Sequence, residues 1–167
     1  MGLENGLYTF RYFGGGEAKS TPIGGMYASS RNGKNKPVTA EPLGTHSGLS
    51  IRWRVAKVAD KEDYFTITED RDDECIPGQW ARSSNQSKVP VFLYDHVKPH
   101  DSVFEWRIQE VDKDDDIYNI MGNSLVGGAD FVDLRNEGGP QLYMKPVPFV
   151  QKPPPIPRWQ LLRITWE

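Results

Sequence analysis

Cysteine is almost missing. The chain of 167 residues carries one, Cys75, so no intramolecular disulfide can form and the fold rests on packing. Charge of one sign is missing too. Twenty Lys and Arg stand against 23 Asp and Glu, a net charge of −3. Such a chain lacks the basic footprint needed to neutralise a phosphate backbone or to hold heparin, so no nucleic-acid partner is expected. No run approaches roughly 18 consecutive apolar residues, so no membrane partner or spanning helix is expected. The start, MGLENGLYTF, shows no basic segment leading into an apolar one and no myristoylation pattern. The expectation is a cytoplasmic protein without a signal peptide, for which the formal glycosylation sequon Asn85-Gln86-Ser87 has no use.

Helical periodicity is the next absence: no window of about 12 residues repeats its apolar positions at helical spacing. Short apolar and aromatic runs recur instead, LYTFRYF, IRWRVAKV, YFTITE, PVFLYD, FEWRIQEV, IYNIM and QLYMK, punctuated by 16 Gly and 13 Pro. That pattern predicts an all-β fold.

The tryptophans reveal a repeat. Trp53-Arg54-Val55 matches Trp106-Arg107-Ile108 at a spacing of 53, and the same step reaches Trp159. Pro37-Val38 matches Pro90-Val91, with Pro140 as the third member. Met26-Tyr27-Ala28 matches Gln79-Trp80-Ala81, with Phe131 as the third aromatic. Tyr8, Tyr64 and Tyr118 form a further set. Three units of four strands are too few to close a propeller and suit a β-trefoil, a six-stranded barrel capped by three hairpins. The expectation is a single β-trefoil domain over 1–167, with twelve strands in repeats of roughly 7–58, 64–111 and 117–166. The repeated Trp and Tyr are then core, and function belongs in the loops where the units differ.

Several motifs suggest chemistry and fail on spacing. GGGEAKST ends like a phosphate-binding loop, but the required glycines fall on Phe13 and Ala18. A calcium loop starting at Asp112 would need Gly and Glu where Ile117 and Asn123 stand, so this acidic run reads as a hairpin turn. His96 and His100 are four apart, but in a proline-bearing loop without a carboxylate frame, so no metal is expected. Cys75 follows Asp72, Asp73 and Glu74, whose charge opposes a thiolate. Lys152 to Pro157 reads as a stiff connection into the last strand rather than a polyproline ligand. No acid pair, catalytic triad or cofactor loop stands out. The residues describe a monomeric binding module, not an enzyme, with no cofactor. A trefoil lectin that binds glycans is the alternative reading, although a lectin would repeat its pocket in every unit.

Several idiosyncratic segments carry a resemblance: MGLENGLYT, PIGGMYASS, VTAEPLG, IPGQWARS, VPVFLYD, WRIQ and QLYMKPVP. Over nearly its whole length the chain resembles the mycocypins, mushroom β-trefoil inhibitors of proteases, in their macrocypin branch rather than the clitocypin one. The resemblance implies inhibition of papain-like, cathepsin-type cysteine proteases by two loops of the first unit that straddle the catalytic cleft. In the loop between strands 1 and 2 it implies Pro22, Ile23, Gly24, Gly25 and Met26 as contacts. In the loop between strands 3 and 4, Leu43 to Ser50, it implies Gly44, Thr45, His46 and Ser47. It also implies a second inhibitory loop between strands 5 and 6, Asp70 to Pro77. Family members present Asn there to legumain or a basic residue to trypsin. This loop has no Asn; Asp72 or Asp73 is the legumain-directed candidate and Arg71 the trypsin-directed one.

Overall fold

The computed structural model describes residues 2–14, 25–44, 48–71, 76–95, 99–136, 139–152 and 154–166. They form fourteen strands and a single 3-10 turn, Leu49–Ile51. The strands are β1 (Gly6–Gly14), β2 (Met26–Ser29), β3 (Lys36–Pro37), β4 (Thr39–Pro42), β5 (Trp53–Lys57), β6 (Tyr64–Glu69) and β7 (Gln79–Ser83). There follow β8 (Phe92–Tyr94), β9 (Ser102–Val103), β10 (Trp106–Asp112), β11 (Ile117–Leu125), β12 (Gly128–Asn136), β13 (Pro140–Pro148) and β14 (Arg158–Arg163). The all-β expectation holds, but the strand number is fourteen, not twelve.

Six strands close a barrel, all pairs antiparallel, in the cyclic order β1-β5-β6-β10-β11-β14 and back to β1. Alternating burial along these strands explains the closure: in β1, Tyr8, Phe10 and Tyr12 turn inward while Thr9 and Arg11 turn outward. Three further pairs, β2–β4, β7–β8 and β12–β13, form the hairpins.

The hairpins meet in a ring of three backbone hydrogen bonds. Val38 N–H donates to the Val91 carbonyl at 2.7 Å, Val91 N–H to Leu142 at 3.0 Å, and Leu142 N–H back to Val38 at 3.0 Å. All three residues are buried, so these groups have no recourse to water. One of the two additional strands is β3, which pairs with β8 of the second unit, Lys36 opposite Leu93 and Pro37 opposite Phe92, and is separated from β4 by Val38. The other, β9, pairs with β7 on the flank of the second unit. The ring also corrects the alignment of repeats: the third counterpart of Val38 and Val91 is Leu142, so Gln141 rather than Pro140 holds the proline position.

A second threefold interaction ties barrel to hairpins. The indole Nε1–H of Trp53 donates to Ala28 (2.9 Å), that of Trp106 to Trp80 (3.1 Å) and that of Trp159 to Val132 (2.9 Å). Trp80 is therefore equivalent to Ala28 and Val132, one position away from the match with Tyr27 and Phe131. The Tyr set also shifts. Tyr8 lies opposite Trp53 and Tyr118 opposite Trp159, but Phe65, not Tyr64, lies opposite Trp106. Tyr64 is only half-buried and lies under the Lys61 ammonium.

Trp80 fills the middle, edge-on to Trp53, Trp106 and Phe10. Its own Nε1 finds no hydrogen-bond partner among the described residues. At the acidic run, Asp112 Oδ1 accepts from the backbone N–H groups of Asp114 and Asp115, a hairpin turn between β10 and β11. Beyond β13, Ile156 packs on a small cluster of Met121, Ala129, Phe131 and Val147, which docks the proline-rich connection.

Replacing Trp159 by Phe strands the Val132 carbonyl inside the core. The expected cost is about 2–3 kcal/mol, read as a lower urea midpoint at unchanged slope. Trp80→Phe abandons no acceptor and should cost less than Trp159→Phe. The exposed Trp166→Phe should stay within about 0.5 kcal/mol.

Candidate functional site

The two first-unit loops leave the sheet side by side. In the β2–β4 ladder Met26 lies opposite Pro42, Tyr27 opposite Glu41 and Ala28 opposite Ala40. Gly25, the last residue of one loop, and Leu43, the first of the other, therefore flank one register pair. Each end is anchored. Gly25 takes φ +89°, and its missing Cβ makes room for the Arg11 side chain, whose Cγ and Cδ would lie 3.1 and 3.2 Å from such an atom. Conformation and space thus both require glycine there. In the second loop, Ser50 Oγ donates to Glu41 Oε1 at 3.0 Å, and the Ser50 carbonyl accepts from Ser30 N–H at 2.8 Å. Leu43 and Leu49 stay exposed on either side of 45–47, as Phe13 does beneath the Arg158 guanidinium at the foot of the first loop.

Of the residues implied for this site, Gly25, Met26 and Gly44 are described; Pro22, Ile23, Gly24, Thr45, His46 and Ser47 lie outside the described residues. Gly44 is exposed. The Met26 side chain packs in the core and anchors the end of the loop.

The loop between β6 and β7 has a carboxylate neck that sequence reasoning missed. Glu69 Oε1 accepts from the Gly78 N–H at 2.9 Å, while Glu69 N–H donates to the Gly78 carbonyl at 2.9 Å. Asp70, also buried, sits between Arg52 Nε at 3.4 Å and Arg54 Nη2 at 3.2 Å. Arg71 lies at the foot of the loop with Nη1 3.7 Å from Glu69 Oε2. Asp72 and Asp73 lie outside the described residues, as do Cys75 and His96. The signal for the neck was present as Arg52-x-Arg54, two cations on one face of a strand facing the end of β6. A single sequence does not show that the facing carboxylate is buried.

Comparison with known proteins shows what class of molecule carries this geometry. A crystal structure of a designed threefold-symmetric protein, ThreeFoil, superposes with a TM-score of 0.57 at 13% identity, covering 95% of this chain and 99% of that one. The likeness concerns the fold alone. The family model described as "Peptidase inhibitor clitocypin" matches residues 6–161. Macrocypin-5a of Macrolepiota procera is 52% identical over 169 residues, covering 98% of this chain and 99% of the relative. Macrocypin-1a of the same organism is 48% identical over 168 residues, covering 97% and 98%. The family model and the two relatives define a protein of the peptidase-inhibitor class, not an enzyme. In particular, the chain belongs to the clitocypin family of peptidase inhibitors.

The necks make a stability prediction. At Gly78 an added Cβ would lie 2.6 Å from Leu93 Cγ and 2.9 Å from Glu69 Oε1. Gly78→Ala and Gly25→Ala should each lower the unfolding free energy by about 1–3 kcal/mol, measured by denaturant titration. A neutral result at either position would mean that its neighbours move aside without cost.

Proposed function

We propose that the protein inhibits papain-like cysteine proteases of the cathepsin type by laying its two first-unit loops, around 15–25 and 43–50, across the catalytic cleft. The observation that carries this reading is the Met26–Pro42 register pair, which sends both loops out from neighbouring points. Gly24 offers backbone without a Cβ, the kind of chain that can approach a narrow cleft closely, while Gly25, buried against Arg11, fixes where that chain leaves the sheet. Anchoring at Arg11, Glu41 and Ser30 limits the ordering cost of binding. A peptide held away from good attack geometry covers the enzyme's thiol without being cleaved.

The loop at 70–77 is assigned to a second protease, legumain first and trypsin second, with no inhibitory role as the third reading. Asp72 or Asp73 would enter the specificity pocket of the former, Arg71 that of the latter. The closeness of Arg71 to Glu69 weighs against the trypsin assignment. The fold reading that goes with this function is a β-trefoil of twelve strands. The observed fourteen reduce to it when β3 and β4 count as one strand and β9 as a local addition. A monomer acting in the cytoplasm completes the proposal.

The test is a titration of papain, legumain and trypsin against purified protein with a fluorogenic substrate. Papain should be blocked at near-stoichiometric inhibitor. Gly24→Arg should weaken that inhibition by at least about 100-fold and leave the unfolding midpoint and inhibition through the 70–77 loop unchanged. Papain activity untouched by the wild-type protein would overturn the proposal.

A further inference from the structure

The second unit carries a pocket that the inhibitory reading leaves unused. A cavity of about 320 Å³ opens between the β7–β8 hairpin and residues 99–102. It exists because this unit departs from the repeat: β9 pairs with β7, Arg82 opposite Val103 and Ser83 opposite Ser102. Among the described residues neither other unit has such a strand.

One wall is aromatic. Along β8, Leu93 turns into the core and Phe92 and Tyr94 turn out, their rings stacked at 5.3 Å and 10°. Another wall is polar. Asp101 Oδ2 accepts from Ser83 Oγ at 3.1 Å, and the Asp101 carbonyl accepts from Ser84 N–H at 2.9 Å. Asp101 Oδ1 has no partner among the described residues. The Ser102 hydroxyl and the Gln86 amide complete the rim. Beneath them lies Arg82, a buried cation whose Nη1 donates to the Glu105 carbonyl at 2.8 Å and whose Nε has no partner among the described residues. Burial first, and the Asp101 charge second, push the Tyr94 phenol up, so it remains an O–H donor throughout the neutral range.

These features select a ligand class. The volume stands at the small end of small-molecule sites, which run from about 300 to 1,000 Å³. An exposed aromatic face carries negative potential and attracts the partly positive C–H face of a saturated ring. A carboxylate, a phenol, a primary amide and hydroxyls together offer donors and acceptors at short range, the complement of adjacent hydroxyl groups. The Arg82 guanidinium is engaged by the Glu105 carbonyl and the Trp106 ring, so Asp101 supplies the pocket's carboxylate, which accepts from ligand hydroxyls and disfavours an anionic ligand. Strand addition by a peptide is unsuited, since β7 is already paired with β8 and with β9. We propose that this pocket binds a neutral pyranose, the terminal sugar of a glycan, independently of the protease-directed loops.

The test uses the intact protein and the methyl glycosides of galactose, glucose, mannose and N-acetylglucosamine, followed through backbone amide resonances. At least one should produce saturable shifts at Ser83, Gln86, Tyr94 and Ser102, with a Kd on the order of 1 mM. Tyr94→Ala and Asp101→Asn should each weaken binding about tenfold or more, with protease inhibition unaltered. If Tyr94→Ala does not fold, Asp101→Asn together with Gln86→Ala on the exposed rim carries the same test. No saturable shift with any of the four sugars overturns the proposal. So do shifts that map elsewhere, or affinity indifferent to these substitutions. Loss of protease inhibition in the wild-type protein would leave this result untouched, so the two readings fail separately.

Discussion

The ring of hydrogen bonds between Val38, Val91 and Leu142 is the constraint on which the rest of the molecule depends. Three hairpins converge on one axis, and the convergence buries backbone groups that a free hairpin would leave to water. Each residue gives its N–H to one neighbour and its carbonyl to the other, so the debt closes only when all three hairpins are present. The indole bonds of Trp53, Trp106 and Trp159 then fasten each hairpin to the last barrel strand of its own unit. The indole N–H of each barrel tryptophan finds a hairpin carbonyl as its acceptor, whereas that of Trp80, itself on a hairpin, finds none among the described residues. Around this frame the barrel closes on itself, which removes its exposed edges. Symmetry holds in the backbone but not in the side chains. The acceptor residues are Ala28, Trp80 and Val132, and the single Trp spreads across the axis to touch two of the other tryptophans and Phe10.

This asymmetry shows how the frame becomes a functional molecule. The frame consumes its backbone groups and large aromatics in itself, so little of it faces outward. What faces outward is set at the feet of the loops. In the first unit the feet are Gly25 against Arg11 and Ser50 against Glu41. In the second they are the carboxylates of Glu69 and Asp70, and on its flank the additional strand β9. In the third, two turns joined by a hydrogen bond from Phe149 N–H to the Gly127 carbonyl expose Leu125, Val126, Phe149 and Val150. One backbone design therefore presents three chemically different ends.

Much of this was legible. Tryptophan is rare, large and in need of an acceptor, so three of them at one spacing reported the repeat and its core. The resemblance of PIGGMYASS and QLYMKPVP to known inhibitors reported the family. What escaped was register. A strand alternates every residue, so an error of one position exchanges core for surface. That is why Tyr64 was expected where Phe65 is, and why Pro140 was matched one residue out. Met26 adjoins the glycines of the loop, yet as the first residue of a strand with a fully buried pattern it is core. The carboxylate neck and the pocket beside β9 escaped for a different reason. Both are made by residues distant in sequence, such as Arg52 with Asp70 and Tyr94 with Asp101, and periodicity says nothing about such meetings.

Separate anchoring has an energetic consequence. Groups that share no partner contribute independently, while groups that share one are coupled. The foot of the first loop rests on Arg11 and Gln160, and the neck of the 70–77 loop rests on Glu69 and Gly78; these share no residue. The second loop of the first unit is different. It ends in the 3-10 turn that leads into Arg52, and Arg52 holds Asp70 while stacking on Trp166. Asp70 thus touches both the end of one loop and the start of another. Asp70 is buried, but Arg54 is 57% exposed and keeps its hydration, so removing the Asp70 charge deprives chiefly Arg52, 19% exposed, of its partner. Among the described residues, the end of the 43–50 loop and the start of the 70–77 loop meet at this contact. The pocket beside β9, walled by Phe92, Tyr94 and Asp101, lies outside that connection.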